Sequence, residues 1–185
     1  MLWACILLPQ LAMDGVQRQR ANPDEPLALL TGSPQRRIVQ AVNPAARALG
    51  LKPGQSLTAA HALTRGFASA EYDLVAIERW QQFLAAWAYG FSAQVSLHYP
   101  RCLLLEVQSS LGLFGPWPRF EARLRAELSA LAFQHRIAVA PNPAAARVLV
   151  NIGDGLMAGD GQTLRQMLDP LPVDRLGLDA TVTTA

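Results

Sequence analysis

Leu2-Trp3-Ala4-Cys5-Ile6-Leu7-Leu8 is an unbroken apolar run, closed by Pro9. A run this short and this uniform, ended by a residue with no N–H to give to a ladder, reads as a β-strand buried on both faces. From Gln10 to Glu71 the composition turns to Pro, Gly, Gln and Arg, with short strands expected at Leu27 to Leu30 and Ile38 to Val42. That stretch reads as an insertion with its own small core.

Periodicity resumes after the insertion. Asp73 can cap a helix on which Ile77, Trp80, Leu84, Trp87 and Phe91 recur at spacings of three and four, a stripe wide enough to pack on a sheet. Trp80 and Trp87 on that stripe read as core. Val95, Leu97 and Tyr99 alternate with polar neighbours, and Cys102 to Val107 is nearly all apolar after Pro100, so the two segments read as a hairpin. A second helix is signalled from Pro118, with Phe120, Leu124, Leu128 and Leu131 on one face and Glu121 four residues before Arg125. Ile137 to Ala140 reads as the last strand. With the insertion set aside, the order is strand, helix, strand, strand, helix, strand, the α+β arrangement called split βαβ or ferredoxin-like. In it the first and third strands run antiparallel at the centre, so the end of Leu2 to Leu8 should meet the start of Cys102 to Val107.

Composition limits the function classes. At 185 residues, 51% hydrophobic and 16% charged, with a mean hydropathy of +0.15, the chain can bury a sizeable core and is not a disordered segment. Sixteen basic against 14 acidic residues, net +2, are too balanced to argue for nucleic acid from charge alone. Only Lys52 is lysine, and the arginine excess fits a codon bias as well as phosphate contact. Cys5 and Cys102 lie far apart with no CxxC spacing, which signals neither a zinc site nor a disulfide framework and fits a reducing cytoplasm. The apolar start has no basic residue ahead of it and no AxA site after it, so no export signal is read, and no run approaches a membrane span.

Asn43-Pro44 and Asn142-Pro143 each follow a predicted strand. Asn at the cap and Pro at the first helical position start a helix, and proline removes one donor a phosphate site would use. His61, His98 and His135 are scattered without ligand spacing. Gly153-Asp154-Gly155 and Gly159-Asp160-Gly161 lack the GKS or GKT of a phosphate loop and a regular set of calcium ligands, so they read as a flexible connection. Arg36 and Arg37 read either as phosphate contacts or as a solvated turn.

Four strings carry a resemblance: Leu8-Pro9-Gln10-Leu11, Ala41 to Leu57 (AVNPAARALGLKPGQSL), Leu104 to Gly115 (LLEVQSSLGLFG) and Ile137 to Arg147 (IAVAPNPAAAR). With the order of elements, the chain resembles the Y-family DNA polymerases of the UmuC and DinB group, and most closely their ImuB-like branch. The resemblance implies a palm-like part at 1–9 and 72–150, a fingers-like insertion at 10–71, and a connection with the start of an incomplete thumb at 151–185. Leu171 to Leu178 (LPVDRLGL) resembles the thumb's opening, as in an N-terminal portion of a longer protein.

An active palm holds two magnesium ions through carboxylate oxygens. In the family one Asp ends the first strand and an Asp-Glu pair opens the third. Those metal positions fall here on Leu8, on Arg101 and on Cys102, and Gln10 stands where a further Asp is usual. None is a carboxylate, so the resemblance implies a degenerate site with no metal, no cofactor and no catalysis. Of the nucleotide contacts, Pro44 and Pro143 replace a Tyr and a Lys, and Arg47 alone remains. The implied role is a non-catalytic scaffold in damage-induced translesion mutagenesis. It links a sliding clamp, an error-prone DnaE-type polymerase and an ImuA-like RecA homologue, and this portion binds DNA weakly. Ser110 to Phe114 partly imitates a clamp peptide but falls in a packed palm connection. The rival readings are an active polymerase whose displaced ligands are Asp14 and Glu106, and a ferredoxin-like binding module unrelated to polymerases.

Overall fold

The computed structural model describes residues 1–170. In chain order the elements are β1 (Trp3–Leu7), α1 (Leu11–Gln17), β2 (Leu27–Thr31), β3 (Ile38–Val42), α2 (Pro44–Ala48), α3 (Leu57–Leu63), β4 (Ala68–Glu71) and α4 (Leu74–Ala88). There follow β5 (Val95–Ser96), β6 (Cys102–Glu106), a 3-10 turn at Gln108–Ser110, α5 (Leu111–Phe114), α6 (Trp117–Ala130), β7 (Arg136–Ala140), α7 (Pro143–Ile152), β8 (Leu156–Met157) and α8 (Gly161–Leu168). The chain divides into two compact units, one of Met1–Pro9 with everything from Gln81 onward, the other of Gln10–Trp80. The division falls within α4. Among the described residues no helix is long and apolar enough to cross a membrane.

In the first unit β1 is the middle strand of a sheet ordered β5-β6-β1-β7-β8. It runs antiparallel to β6, with Leu7 opposite Cys102 and Trp3 opposite Glu106, and antiparallel to β7 on its other edge. The first four strands have the split βαβ order, and α7 adds β8 parallel to β7. On one face Cys5, Leu7, Cys102, Leu104, Ala138 and Ala140 pack against Ala145, Ala146, Leu149 and Val150 of α7. Small residues on both sides let that helix lie close to the strands. The alternate residues Ala4, Ile6, Leu103, Leu105 and Val139 are fully buried as well. In the helices α4 and α6, Leu84, Ala88, Phe120, Leu124 and Leu128 are buried, as expected of the two helices of a split βαβ fold that cover one face of the sheet. Beside them Phe114 stacks on Phe120 at 4.6 Å and Phe91 lies 5.4 Å from Phe114.

The second unit holds a three-stranded sheet ordered β3-β2-β4. Alternation along β2 splits its core: Ala28 and Leu30 join Val39, Val42, Ala46, Leu51 and Ala60, while Leu27 and Leu29 join Met13 on the other face. Three elements here carry weak sequence signals. The helix α1 has no capping side chain, α3 is only seven residues long, and Ala-Ser-Ala-Glu of β4 contains no β-branched residue. Gly15 in α1 is required by close approach, since a Cβ there would lie 2.4 Å from the Trp80 indole nitrogen.

Several expectations need correction. The strand read from Val95 to Tyr99 is confined to Val95–Ser96, because the Tyr99 carbonyl accepts the Cys102 N–H and closes the turn over Pro100. Trp80 and Trp87 are half-buried rather than core. The Trp87 indole N–H reaches Glu127 at 2.9 Å, and the Arg18 guanidinium covers Trp80 at 4.8 Å, so each ring keeps a polar edge on the rim of its stripe. The Gly153-Asp154-Gly155 connection is tied down: Arg125 grips Asp154 through two bonds of 2.7 and 3.0 Å, and the Ile137 N–H donates to the same carboxylate at 2.7 Å. Asp160 caps α8 by accepting from the Gln162 and Thr163 N–H groups. In the segment read as a packed connection, Leu113 is 80% exposed. The thumb-like segment 171–178 lies outside the described residues.

Two measurements check this packing. Phe120→Ala is expected to cost about 3 to 5 kcal/mol, and Trp87→Ala less, by denaturant unfolding. For Asp154, burial works to raise the pKa, but hydrogen bonds from Arg125 and the Ile137 N–H outweigh it and hold the carboxyl below its ordinary value of 3.8. A depressed carboxylate gives stability that is complete above the unfolded-state value and is lost as the pH falls through the folded-state value. Urea midpoints should therefore drop below about pH 4 more steeply in the wild type than in Asp154→Asn.

Candidate functional site

The central strand pair brings three of the candidate residues together. The Leu8 N–H donates to the Arg101 carbonyl at 2.8 Å, extending the ladder one step past Leu7 and Cys102. Leu8 and Cys102 are fully buried. Arg101 is exposed at the turn and holds a left-handed backbone, φ 57°, a conformation that costs a side-chain-bearing residue more than glycine. Its Nη1 makes only a long contact of 3.5 Å with the Pro9 carbonyl.

Cys5, far from Cys102 in sequence and not among the candidate site residues, lies on the same sheet face as Cys102, diagonally across β1 and β6, in the layer covered by α7. The two thiols ionise as a pair. Donating a hydrogen bond to Cys102 pushes the Cys5 thiol far up, and burial adds to this. That same bond lowers the Cys102 thiol; burial opposes the shift, while Arg147 and Arg101 assist it. Arg147 reaches this corner from α7, its guanidinium 5.8 Å from the Tyr99 ring centre. Pairing register is the signal that would have exposed Cys5, since the side-chain period of two sets its face once Leu7 is paired with Cys102.

An aliphatic group, a guanidinium and a thiol do not fit a pair of magnesium ions, which take hard oxygen ligands. Glu106 does not supply the deficit. It sits opposite Trp3, four residues along β6 from Cys102, or about 13 Å at strand rise. Its buried carboxylate accepts the N–H groups of Gln108 and Ser109 and so starts the 3-10 turn. Asp14 is buried in α1 within the second unit. Among the described residues no group of three or more His, Cys, Asp or Glu is placed to hold a metal ion.

The remaining candidates lie in the second unit. Gln10 precedes α1 without capping it, and Arg47 is exposed in the last turn of α2. Asn43 is fully employed in structure: its side-chain oxygen accepts from Leu27 and Ala46, both at 2.9 Å, and its amide donates to Glu25. Arg37 pairs with Glu71, while Arg36 is exposed beside a cavity of about 360 Å³ lined by Gln35, Ser56, Thr58 and His61.

The sheet and its connections define the palm-type fold of the Y-family polymerases. DinB from Sulfolobus solfataricus superimposes with a TM-score of 0.73 at 16% identity, over 98% of this chain and 55% of that one. A post-insertion binary complex of Dbh DNA polymerase gives 0.73 at 15%, over 95% and 53%, and an insertion ternary complex of Dbh gives 0.71 at 16%, over 98% and 55%. The chain thus spans about half the length of these solved structures. Residues 15–151 match the impB/mucB/samB family, and the chain belongs to that family. No curated protein matches it in sequence.

If Glu106 is a cap and not a ligand, Glu106→Ala should cost about 1 kcal/mol of stability. Manganese binding followed by water-proton relaxation should be the same in variant and wild type.

Proposed function

We propose that this chain is the palm-like and fingers-like part of an ImuB-like, Y-family polymerase homologue that serves as a scaffold and not as a nucleotidyl transferase. The observation that carries the reading is the β1–β6 junction, which brings Leu8, Arg101 and Cys102 together without a carboxylate; by the resemblance, these are the positions of the family's metal-binding carboxylates. A guanidinium among the metal positions repels a cation, and even a strongly screened like-charge contact at ~4 Å costs on the order of 1 kcal/mol or more. Family membership supports a place in translesion DNA synthesis after damage.

In this reading the protein joins a sliding clamp, an error-prone DnaE-type polymerase and an ImuA-like RecA homologue, and the present segment contributes only weak DNA binding. Residues 1–9 and 72–150 form the palm-like part, 10–71 the fingers-like insertion, and 151–185 the connection toward a thumb. The protein acts in the cytoplasm with no metal cofactor of its own.

Primer extension with magnesium by the longest encoded form of the protein tests the reading, with Asp14→Asn and Glu106→Gln assayed in parallel. No extension above a no-enzyme control is expected. Templated extension that disappears in either variant would identify a polymerase with displaced ligands and overturn the scaffold.

A further inference from the structure

The turn between β2 and β3 and the start of α3 enclose the cavity of about 360 Å³, whose lining lies wholly in the second unit. Its walls are fixed by the backbone. The Arg36 N–H donates to the Ser33 carbonyl at 2.9 Å, the Leu57 N–H donates to the Arg37 carbonyl at 3.0 Å, and Ile38 is bridged to Ser56. Gly32 enters the turn at φ 97°, and a Cβ there would lie 2.3 Å from the Arg36 carbonyl oxygen, so a larger residue would force the turn open. The lining carries positive charge and no carboxylate. Arg37 already takes a carboxylate, that of Glu71. Arg36 is exposed, and among the described residues its guanidinium has neither an ion pair nor a hydrogen bond. Beside it the Gln35 amide and the Ser56 and Thr58 hydroxyls are exposed donors, while Pro34 and Leu57 supply an apolar wall. The lining has one ring, His61, and Phe67 stacks on it at 5.0 Å.

We infer that this cavity docks an acidic peptide of a protein partner, with Arg36 taking a carboxylate and Pro34 and Leu57 receiving an apolar side chain next to it. A guanidinium fork matches the two oxygens of a carboxylate and donates two parallel, charge-assisted hydrogen bonds. The neutral donors at the rim reach the lone pairs that remain. Walls set by main-chain bonds and a glycine turn need little ordering when a ligand arrives, which preserves affinity. Nucleic acid is the poorer fit. A single strand is followed by a groove of cations and a series of aromatic faces, whereas here one guanidinium is free, the next is neutralised by Glu71, and the only ring is already stacked. The inference stands apart from the scaffold reading, because peptide docking on the second unit needs no statement about extension activity.

Binding is measured on the 185-residue chain by fluorescence anisotropy, with a labelled glutamate-rich peptide that carries one leucine and has both ends blocked. The same peptide with glutamine in place of glutamate, and a labelled single-stranded oligodeoxynucleotide, are run beside it. The glutamate peptide is expected to bind and the glutamine peptide not to, with affinity falling as sodium chloride is raised. Arg36→Gln should weaken binding roughly tenfold. Thr58→Glu puts a like charge on the rim in the first turn of α3, where an acid suits the helix, and should abolish binding. Arg119→Gln, an exposed change on α6, should leave it untouched. Should Arg36→Gln lose its fold by circular dichroism, Thr58→Glu decides alone. No binding of the glutamate peptide, binding undiminished in the folded rim variants, or an equal loss in Arg119→Gln would overturn the proposal. An oligonucleotide that binds more tightly than the peptide and is lost in the same rim variants would also overturn it, and would make the cavity a nucleic-acid contact.

Discussion

The pairing of β1 with β6 on one edge and β7 on the other is the constraint on which the first unit depends. All five β1 residues engage both neighbours in register, and Ala4 to Ile6 are fully buried. In a strand covered on both faces a slip by one residue would exchange the side chains facing α7 for those facing the opposite layer. Cys5 and Leu7 sit under the small residues of α7, where larger neighbours would push the helix away. Local order at the strand end follows from the same register: Leu8 can bond only to Arg101, and Glu106 is carried to the far end of β6.

That register also decides the chemistry available at the corner. A strand end that presents a hydrocarbon and a thiol beside the Arg101 guanidinium is unattractive to divalent cations. The nearest acid on β6 is spent on capping a turn. A fold does not by itself specify a reaction, which belongs to the side chains placed on it.

Much of the architecture could be read without coordinates. The apolar run at β1, the stripe of α4 from its Asp73 start, the Glu121–Arg125 pair on α6 and the Asn142-Pro143 start of α7 are local patterns, and local patterns survive folding. What escaped were α1, α3, β4, α5, β8 and α8, short elements whose stability comes from neighbours rather than from propensity. The two tryptophans show the limit of periodicity: it places Trp87 on the correct stripe but cannot tell the stripe's centre from its rim. Asp154 shows another, since a glycine-flanked acid looks like a linker until Arg125 and the Ile137 N–H are found around it.

The site divides in the same way. Sequence alone determined that Leu8, Arg101 and Cys102 lack carboxylates, because residue identity at a strand end depends on no other part of the chain. Tertiary structure alone decided that Cys5 shares a face with Cys102, that Arg147 comes to the same corner with unsatisfied donors, and that Glu106 lies a strand's length away. These are contacts between segments up to about a hundred and forty residues apart. Only strand register and helix packing set such distances, and neither is written in any local stretch of sequence.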